Sequence, residues 1–386
     1  MLDFSRQYAP LRQEIMDAIA KICDSQSFIL GPSVTSFELE AAKACATSTA
    51  VGCASGTDAL WLALAASGIG DSASSIRSSA LLDTVITTPF SFFASASAIL
   101  RAGARPIFAD IDPQTFNLSA ESVSKVLRSS PPNSIKAILP VHLYGQCADW
   151  AAFEAIAQGH PGLLLIEDAA QAFGAAWNGR PAGSLGTAAA FSFYPTKNLA
   201  AMGDAGLVTT SDGPIARRLR SLRAHGMVRR YYHDEVGWNS RLDSIQAAIL
   251  EVKLRYLSGA NQQRRDRATR YDQLFRDAGL AAHSTANGVV LPWTDPRATP
   301  IFHQYVIRAP RRDALREFLT ARRIGSEIYY PVPLHLQVAL SDLGYKQGDF
   351  PHAELAAEEV LALPIYPEIR DDEQETVVEA IRTFYA

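Results

Sequence analysis

A single lysine, Lys197, follows sixteen consecutive uncharged residues, Pro181 to Thr196, inside the run Ala190-Phe191-Ser192-Phe193-Tyr194-Pro195-Thr196-Lys197-Asn198-Leu199. Burial there disfavours the ammonium form and lowers the pKa, which leaves an amine able to condense with an aldehyde. The alternative is a lysine that snorkels at a strand end. Asp168 closes the apolar run Leu163-Leu164-Leu165-Ile166, 29 positions earlier, and so stands at the carboxyl edge where sites gather in α/β sheets. It is either a capping residue or a carboxylate held ionised opposite a cationic heterocycle. Ser55-Gly56-Thr57-Asp58-Ala59-Leu60 opens a helical stretch with a capping-box-like start. Gly56 allows close backbone approach, Thr57 offers a hydroxyl, and free N–H groups at such an end attract a phosphate. An ordinary capped helix has the same pattern.

The three segments together supply a phosphate cradle, an acid for a pyridinium nitrogen and a Schiff-base lysine, which is the set that pyridoxal 5'-phosphate requires. Asp168 would keep the ring nitrogen protonated, and Lys197, once released, would shuttle the proton.

The elements that must hold these groups alternate. Val85-Ile86-Thr87, Pro106-Ile107-Phe108, Ala137-Ile138-Leu139 and Leu163 to Ile166 read as short strands separated by helical stretches, so the fold class is α/β with a mostly parallel sheet. Tyr8, Leu11, Ile15, Ile19 and Ile22 form one apolar stripe on an N-terminal helix. Leu242 to Tyr256 marks a long helix, and Arg264-Arg265-Asp266-Arg267 reads as its solvated continuation. Two domains are expected: a large cofactor-binding α/β domain over 1–258 and a smaller C-terminal α+β domain over 259–386. The Ser/Ala-rich stretch from Gly68 to Leu82 reads as a surface loop.

Composition narrows the function classes. The chain has 386 residues, 48% hydrophobic and 20% charged, which excludes global disorder. Lys plus Arg total 36 against 40 acids, a net charge of -4, with no basic run to meet a row of phosphates, so nucleic acid is not an expected partner. The uncharged stretches are interrupted and too short to span a membrane. The four cysteines form no C-x-x-C pair and read as free buried thiols, which together with an acid among the first residues makes the cytoplasm the expected location. The eight histidines lack paired metal spacing, so no metal site is expected.

With these segments in hand, the chain resembles the DegT/DnrJ/StrS sugar aminotransferases, pyridoxal phosphate enzymes of the aspartate aminotransferase fold type. The likeness runs from Phe28-Ile29-Leu30-Gly31-Pro32 through Pro89-Phe90-Ser91-Phe92, Pro140-Val141-His142-Leu143-Tyr144-Gly145, Glu167-Asp168-Ala169-Ala170-Gln171-Ala172, Gly203-Asp204 and Asn239-Ser240-Arg241-Leu242-Asp243 to Leu363-Pro364. It implies that Lys197 forms the Schiff base, Asp168 pairs with the pyridine nitrogen, Gln171 approaches the ring hydroxyl and Phe92 stacks on the ring. Gly56, Thr57 and Ser192 match phosphate contacts, and Asn239 matches a residue that reaches the neighbouring subunit's cofactor, so a homodimer is implied. The segments Tyr329 to Gln337 and Gly348 to Glu354 look like the branch that aminates the third carbon of nucleotide-linked 3-keto-6-deoxyhexoses; a dTDP carrier and glutamate as donor are implied with it. Tyr194, Tyr329 and His335, and Arg230 and Tyr231 in the patch Arg229 to Tyr232, are the candidate substrate contacts; a solvated loop is the other reading of that patch.

The chain departs from the family pattern in the longer Ser/Ala-rich loop, in Thr187 and Ala205 where Asp and Gly are usual, and in Tyr329 where many members have histidine. A dehydratase of the same family would carry histidine in place of Lys197. A non-catalytic, cofactor-binding regulatory protein is the rival of another class.

Overall fold

The computed structural model describes residues 2–70, 82–131 and 134–386. The Ser/Ala-rich stretch expected as a surface loop falls mostly on residues 71–81, outside the described residues.

The apolar runs of the first half become one seven-stranded sheet, built from β1 (Thr49–Cys53), β2 (Thr84–Thr87), β3 (Arg105–Phe108), β4 (Ile135–Ile138), β5 (Leu164–Asp168), β8 (Ala188–Ser192) and β9 (Gly206–Thr210); between β5 and β8 lie the two-residue strands β6 (Ala176–Trp177) and β7 (Arg180–Pro181). The order across the sheet is β1-β9-β8-β5-β4-β2-β3. β9 alone runs antiparallel to its neighbours. Helices cover both faces, so a strand can be buried at every position, as β2 is and β8 nearly is.

Alternation along β8 shows how the two faces divide. Ala188 and Ala190 join the core formed with α4 (Gly56–Ala66), α5 (Ala94–Arg101) and α8 (Gly213–Leu222), whereas Ala189 and Phe191 face the core formed with α3 (Pro32–Ala44), α6 (Ala120–Ser129), α7 (Trp150–Gln158) and α9 (Ser244–Leu254). Helix α4 is buried at every position from Ala59 to Leu64, which is why it is apolar around its circumference there. The N-terminal stripe is split at Pro10 into α1 (Phe4–Tyr8) and α2 (Arg12–Ser25), with a 3-10 turn between them.

After the hairpin β10 (Met227–Arg229) and β11 (Tyr232–His233), the chain enters α10 (Leu257–Asp277), adds β12 (Ala298–Thr299) to β6, and builds the C-terminal unit. That unit pairs β13 (Tyr305–Arg308) with β14 (Val360–Leu363) and packs them with α11 (Arg312–Ala321), α12 (Pro351–Glu359) and α13 (Asp371–Tyr385). The expected boundary at 258 lies in the first turn of α10. The core of the C-terminal unit is shared, because Phe90, Phe108 and Tyr144 from the first half pack with Tyr271, Val306 and Ile381.

Polar contacts also cross this seam, among them the three that follow. Asp110 accepts from the N–H groups of His352 and Ala353 at 3.0 Å each, at the start of α12. Tyr345 Oη accepts from Phe108 N–H at 3.2 Å. Arg6 on α1 forks onto Glu373 of α13 at 2.7 and 2.8 Å.

Two expectations are corrected here. Arg264 is not on a solvated face: it is 3% exposed, and its guanidinium donates to the carbonyls of Phe302 and Ile365 at 3.2 Å, supplying the donor that buried carbonyls at the seam require. Of the free cysteines, Cys45, Cys53 and Cys147 are buried, but Cys23 on α2 is exposed. Among the described residues no helix is long and apolar enough to cross a membrane.

Candidate active site

The sheet brings three chain segments to one edge. β5 ends at Asp168, β8 ends at Ser192 and leads to Lys197, and β1 ends at Cys53, just before α4. Gly206 pairs with both Ser192 and Cys53, which sets these ends level.

Ser55 is in extended conformation and caps α4, its Oγ accepting from Asp58 N–H at 3.1 Å. The N–H groups of Gly56 and Thr57 in the first turn have no intrahelical acceptor, which is the arrangement that attracts an anion. The cradle is tight against the next strand. A Cβ at Gly56 would stand 2.4 Å from Ser192 Cβ, and one at Gly206 would stand 2.2 Å from the Ser55 carbonyl oxygen. Glycine at both positions therefore lets the turn pack directly against Ser192, and the free N–H groups of the turn with the Thr57 and Ser192 hydroxyls are the donors a phosphate monoester takes.

Asp168 is 3% exposed. Its Oδ2 accepts from Ser95 Oγ at 2.7 Å and its Oδ1 from Ala170 N–H at 3.2 Å, while Ser95 in turn meets Ser91 at 2.8 Å. Burial raises the carboxyl above its ordinary pKa, and the two hydrogen bonds and the Lys197 charge oppose that rise. A protonated ring nitrogen beside it would hold it ionised. Lys197 is half-buried, and burial lowers its amine to about 8, with the Asp168 charge working in the other direction. A cavity on one side of Lys197 is lined by Phe4, Gln7, Arg264 and Tyr366.

Gln171 is fixed at both ends: its Oε1 accepts from Tyr144 N–H at 2.6 Å and its Nε2 donates to Tyr330 Oη at 3.2 Å. Tyr144 Oη donates to the Tyr329 carbonyl. Phe92 is 60% exposed with its ring 6.3 Å from that of Tyr330, so it is free to cover a planar ligand, whereas Phe90 is fully buried.

The remaining sequence candidates are more scattered. Tyr194 is exposed and Tyr329 is half-buried beside Tyr330. Asn239 is exposed, bridged to Ala224. Arg230 and Tyr231 lie on the exposed β10–β11 hairpin, where Arg229 lies 3.7 Å from the Tyr232 ring centroid and Arg230 5.1 Å from that of Tyr231. His335 is corrected. It is 2% exposed, its Nε2 is 3.0 Å from Glu354 Oε1 and its ring packs 4.7 Å from Phe350, so it offers no surface to a substrate.

Several supporting residues escaped the sequence reading. Glu167 is completely buried and accepts from the N–H groups of Gly183, Leu185 and Gly186 at 2.7, 2.9 and 2.8 Å. Its fourth partner is His142 Nε2 at 3.1 Å; because Ala148 N–H donates to His142 Nδ1 at 3.1 Å, the ring proton belongs on Nε2. This cluster ties the turn before β8 to β5, and so sets the strand that leads to Lys197 against Asp168. A buried-strand acid adjoining Asp168 was the available signal for Glu167. Ser95 carried no comparable signal.

A helix end with free N–H groups, a buried acid and a lysine with a depressed pKa, at one edge of an α/β sheet, are the groups a pyridoxal phosphate enzyme would need. The chain belongs to the DegT/DnrJ/EryC1/StrS aminotransferase family, whose model matches residues 10–382. It is 46% identical over 385 residues to a "Pleiotropic regulatory protein" of Geobacillus stearothermophilus, covering 100% of this chain and 98% of that one. It is 42% identical to a UDP-N-acetyl-3-dehydro-alpha-D-glucosamine 3-aminotransferase of Acidithiobacillus ferrooxidans, covering 99% and 96%. Its structure matches that of S. venezuelae DesV in complex with a ketimine intermediate, with a TM-score of 0.90 and 40% identity over 99% of this chain and 97% of that one.

Proposed function

We propose that this protein binds pyridoxal 5'-phosphate and transfers an amino group from glutamate to the C3 ketone of a nucleotide-linked hexose. The observation that carries the proposal is the convergence of Lys197, Asp168 and the α4 cradle in a member of an aminotransferase family.

When bound, the cofactor supplies an electron sink that makes the carbon bearing the amine acidic. Gly56, Thr57 and Ser192 would hold its phosphate, and Asp168 would pair with its ring nitrogen, while Ser95 and Ala170 keep the carboxylate oriented. Gln171, fixed by Tyr144 and Tyr330, would meet the ring hydroxyl, and Phe92 would cover the ring face. Lys197 would hold the cofactor, and its Nζ, when free, would take and return the proton, a task suited to an amine near 8.

The finer parts rest on the sequence resemblance. Asn239, exposed on its loop, serves the cofactor of a second copy, so the working form is a homodimer. Tyr194 and Tyr329 contact the sugar, and Arg230 and Tyr231 meet the nucleotide diphosphate, with the arginines stacked on tyrosines in a shape suited to anion and base. Buried free thiols at Cys45, Cys53 and Cys147 support a cytoplasmic location.

A regulatory protein that binds the cofactor without turnover is the second reading, favoured by the name of the Geobacillus relative. The test is to incubate purified protein with pyridoxal phosphate, glutamate and both UDP- and dTDP-linked 3-keto sugars. Aminated sugar and 2-oxoglutarate in equal amounts are expected. Cofactor capture without either product across the panel selects the regulatory reading.

A further inference from the structure

The first turn of α4 contains a group that works against its proposed ligand. Asp58 lies two residues beyond Gly56, and a carboxylate there weakens the attraction of the helix end for a phosphate. Both of its oxygens are engaged. Oδ1 accepts from Arg101 at 2.5 Å and Oδ2 from Ser240 Oγ at 2.7 Å. Arg101 is the last residue of α5, and its guanidinium lies 5.1 Å from the Trp61 ring centroid and 5.3 Å from that of Trp238. The two indoles meet edge to face at 5.6 Å.

An exposed ion pair contributes little, but this one is held from several sides. The Asp58 side chain is only 14% exposed, and the cation is placed by two indoles from different segments. Ser240 Oγ lies 3.5 Å from Ala54 N–H, and Ser240 N–H donates to the Arg223 carbonyl at 2.9 Å. The stretch carrying Trp238 and Ser240 is thereby fastened to the residues that lead into the cradle.

We propose that Arg101 is a positioning residue of the cofactor-phosphate half-site: it neutralises Asp58, which keeps the start of α4 attractive to the phosphate. This deepens the proposed function and rests on α4 receiving that phosphate. Arg101 touches neither cofactor nor substrate; it acts through Asp58.

The test compares capture of pyridoxal phosphate and of unphosphorylated pyridoxal by apo-protein, read from Schiff-base absorbance. In Arg101→Met, affinity for pyridoxal phosphate should fall about five- to thirtyfold, the upper part of the range for a partly buried charge at a helix end, and affinity for pyridoxal should stay within about twofold. Adding Asp58→Asn to Arg101→Met should restore most of the loss. Arg101→Lys, which retains the cation and guards against misfolding of the first variant, should preserve the preference for the phosphorylated aldehyde. Equal losses for both aldehydes, no recovery in the double variant, or a lysine variant as poor as methionine would overturn the inference. Wild-type protein that captures neither aldehyde overturns the functional reading on which it rests; wild-type capture with an unaffected Arg101→Met overturns this inference alone.

Discussion

Glu167 and Asp168 are consecutive on β5, yet their carboxylates serve opposite faces of the sheet: Glu167 gathers three backbone N–H groups and His142, while Asp168 faces Ser95 and the active-site edge. One acid fixes the frame; the other is the one proposed to meet the cofactor.

Replacing Glu167 by glutamine puts an amide group where four donors converge. A loss of about 3 kcal/mol in unfolding free energy is expected, measured by urea denaturation, because a buried acceptor set becomes mismatched. An unchanged midpoint would refute this role.

Lys197 should be the sole site of borohydride-trapped cofactor. Peptide mass mapping of the reduced holo-protein should place the tag on the peptide containing Lys197, and Lys197→Ala should carry none. A tag on another lysine would reject the assignment.

Cofactor capture should rise with pH around the Lys197 amine value of about 8, because only the unprotonated amine attacks an aldehyde. The Asp168 charge raises that value, so Asp168→Asn should move the half-rise to lower pH. The same variant should lower the glutamate half-reaction on the order of a hundredfold or more. Stopped-flow absorbance across pH reads both effects, and a shift to higher pH would contradict the electrostatics.

Gly56→Ala should lower affinity for pyridoxal phosphate by about tenfold or more, since the added methyl group meets Ser192 Cβ at 2.4 Å and either the turn or β8 must yield. Fluorescence titration of apo-protein measures it; wild-type affinity would show that the cradle is not where the phosphate binds.

Tyr194→Phe and Tyr329→Phe should raise KM for the keto sugar while leaving the half-reaction with glutamate within about twofold, the pattern for lost substrate contacts. Equal effects on both halves would assign the two hydroxyls to the cofactor instead.

The sheet was legible because fully covered strands leave unbroken apolar runs, and Lys197 and Asp168 stood out as charges at the ends of such runs. Distance along the chain hid the rest. Arg264 read as solvated because its neighbours Arg265 and Arg267 are charged, and only folding shows its helix face turned toward the carbonyls of Phe302 and Ile365. His335 sat in a motif suggestive of substrate, but its partners Glu354 and Phe350 close it off. Arg101 gave no sign at all, since Asp58, Trp61, Trp238 and Ser240 meet around it only in three dimensions.

The pins at Asp110, at Tyr345 and at the Arg6 fork each join the two halves of the chain at a different element. Parting the two halves would have to break these contacts and open the apolar core they share. Such an opening would bring Phe90, Phe108 and Tyr144 into water, at a cost that grows with the apolar area exposed.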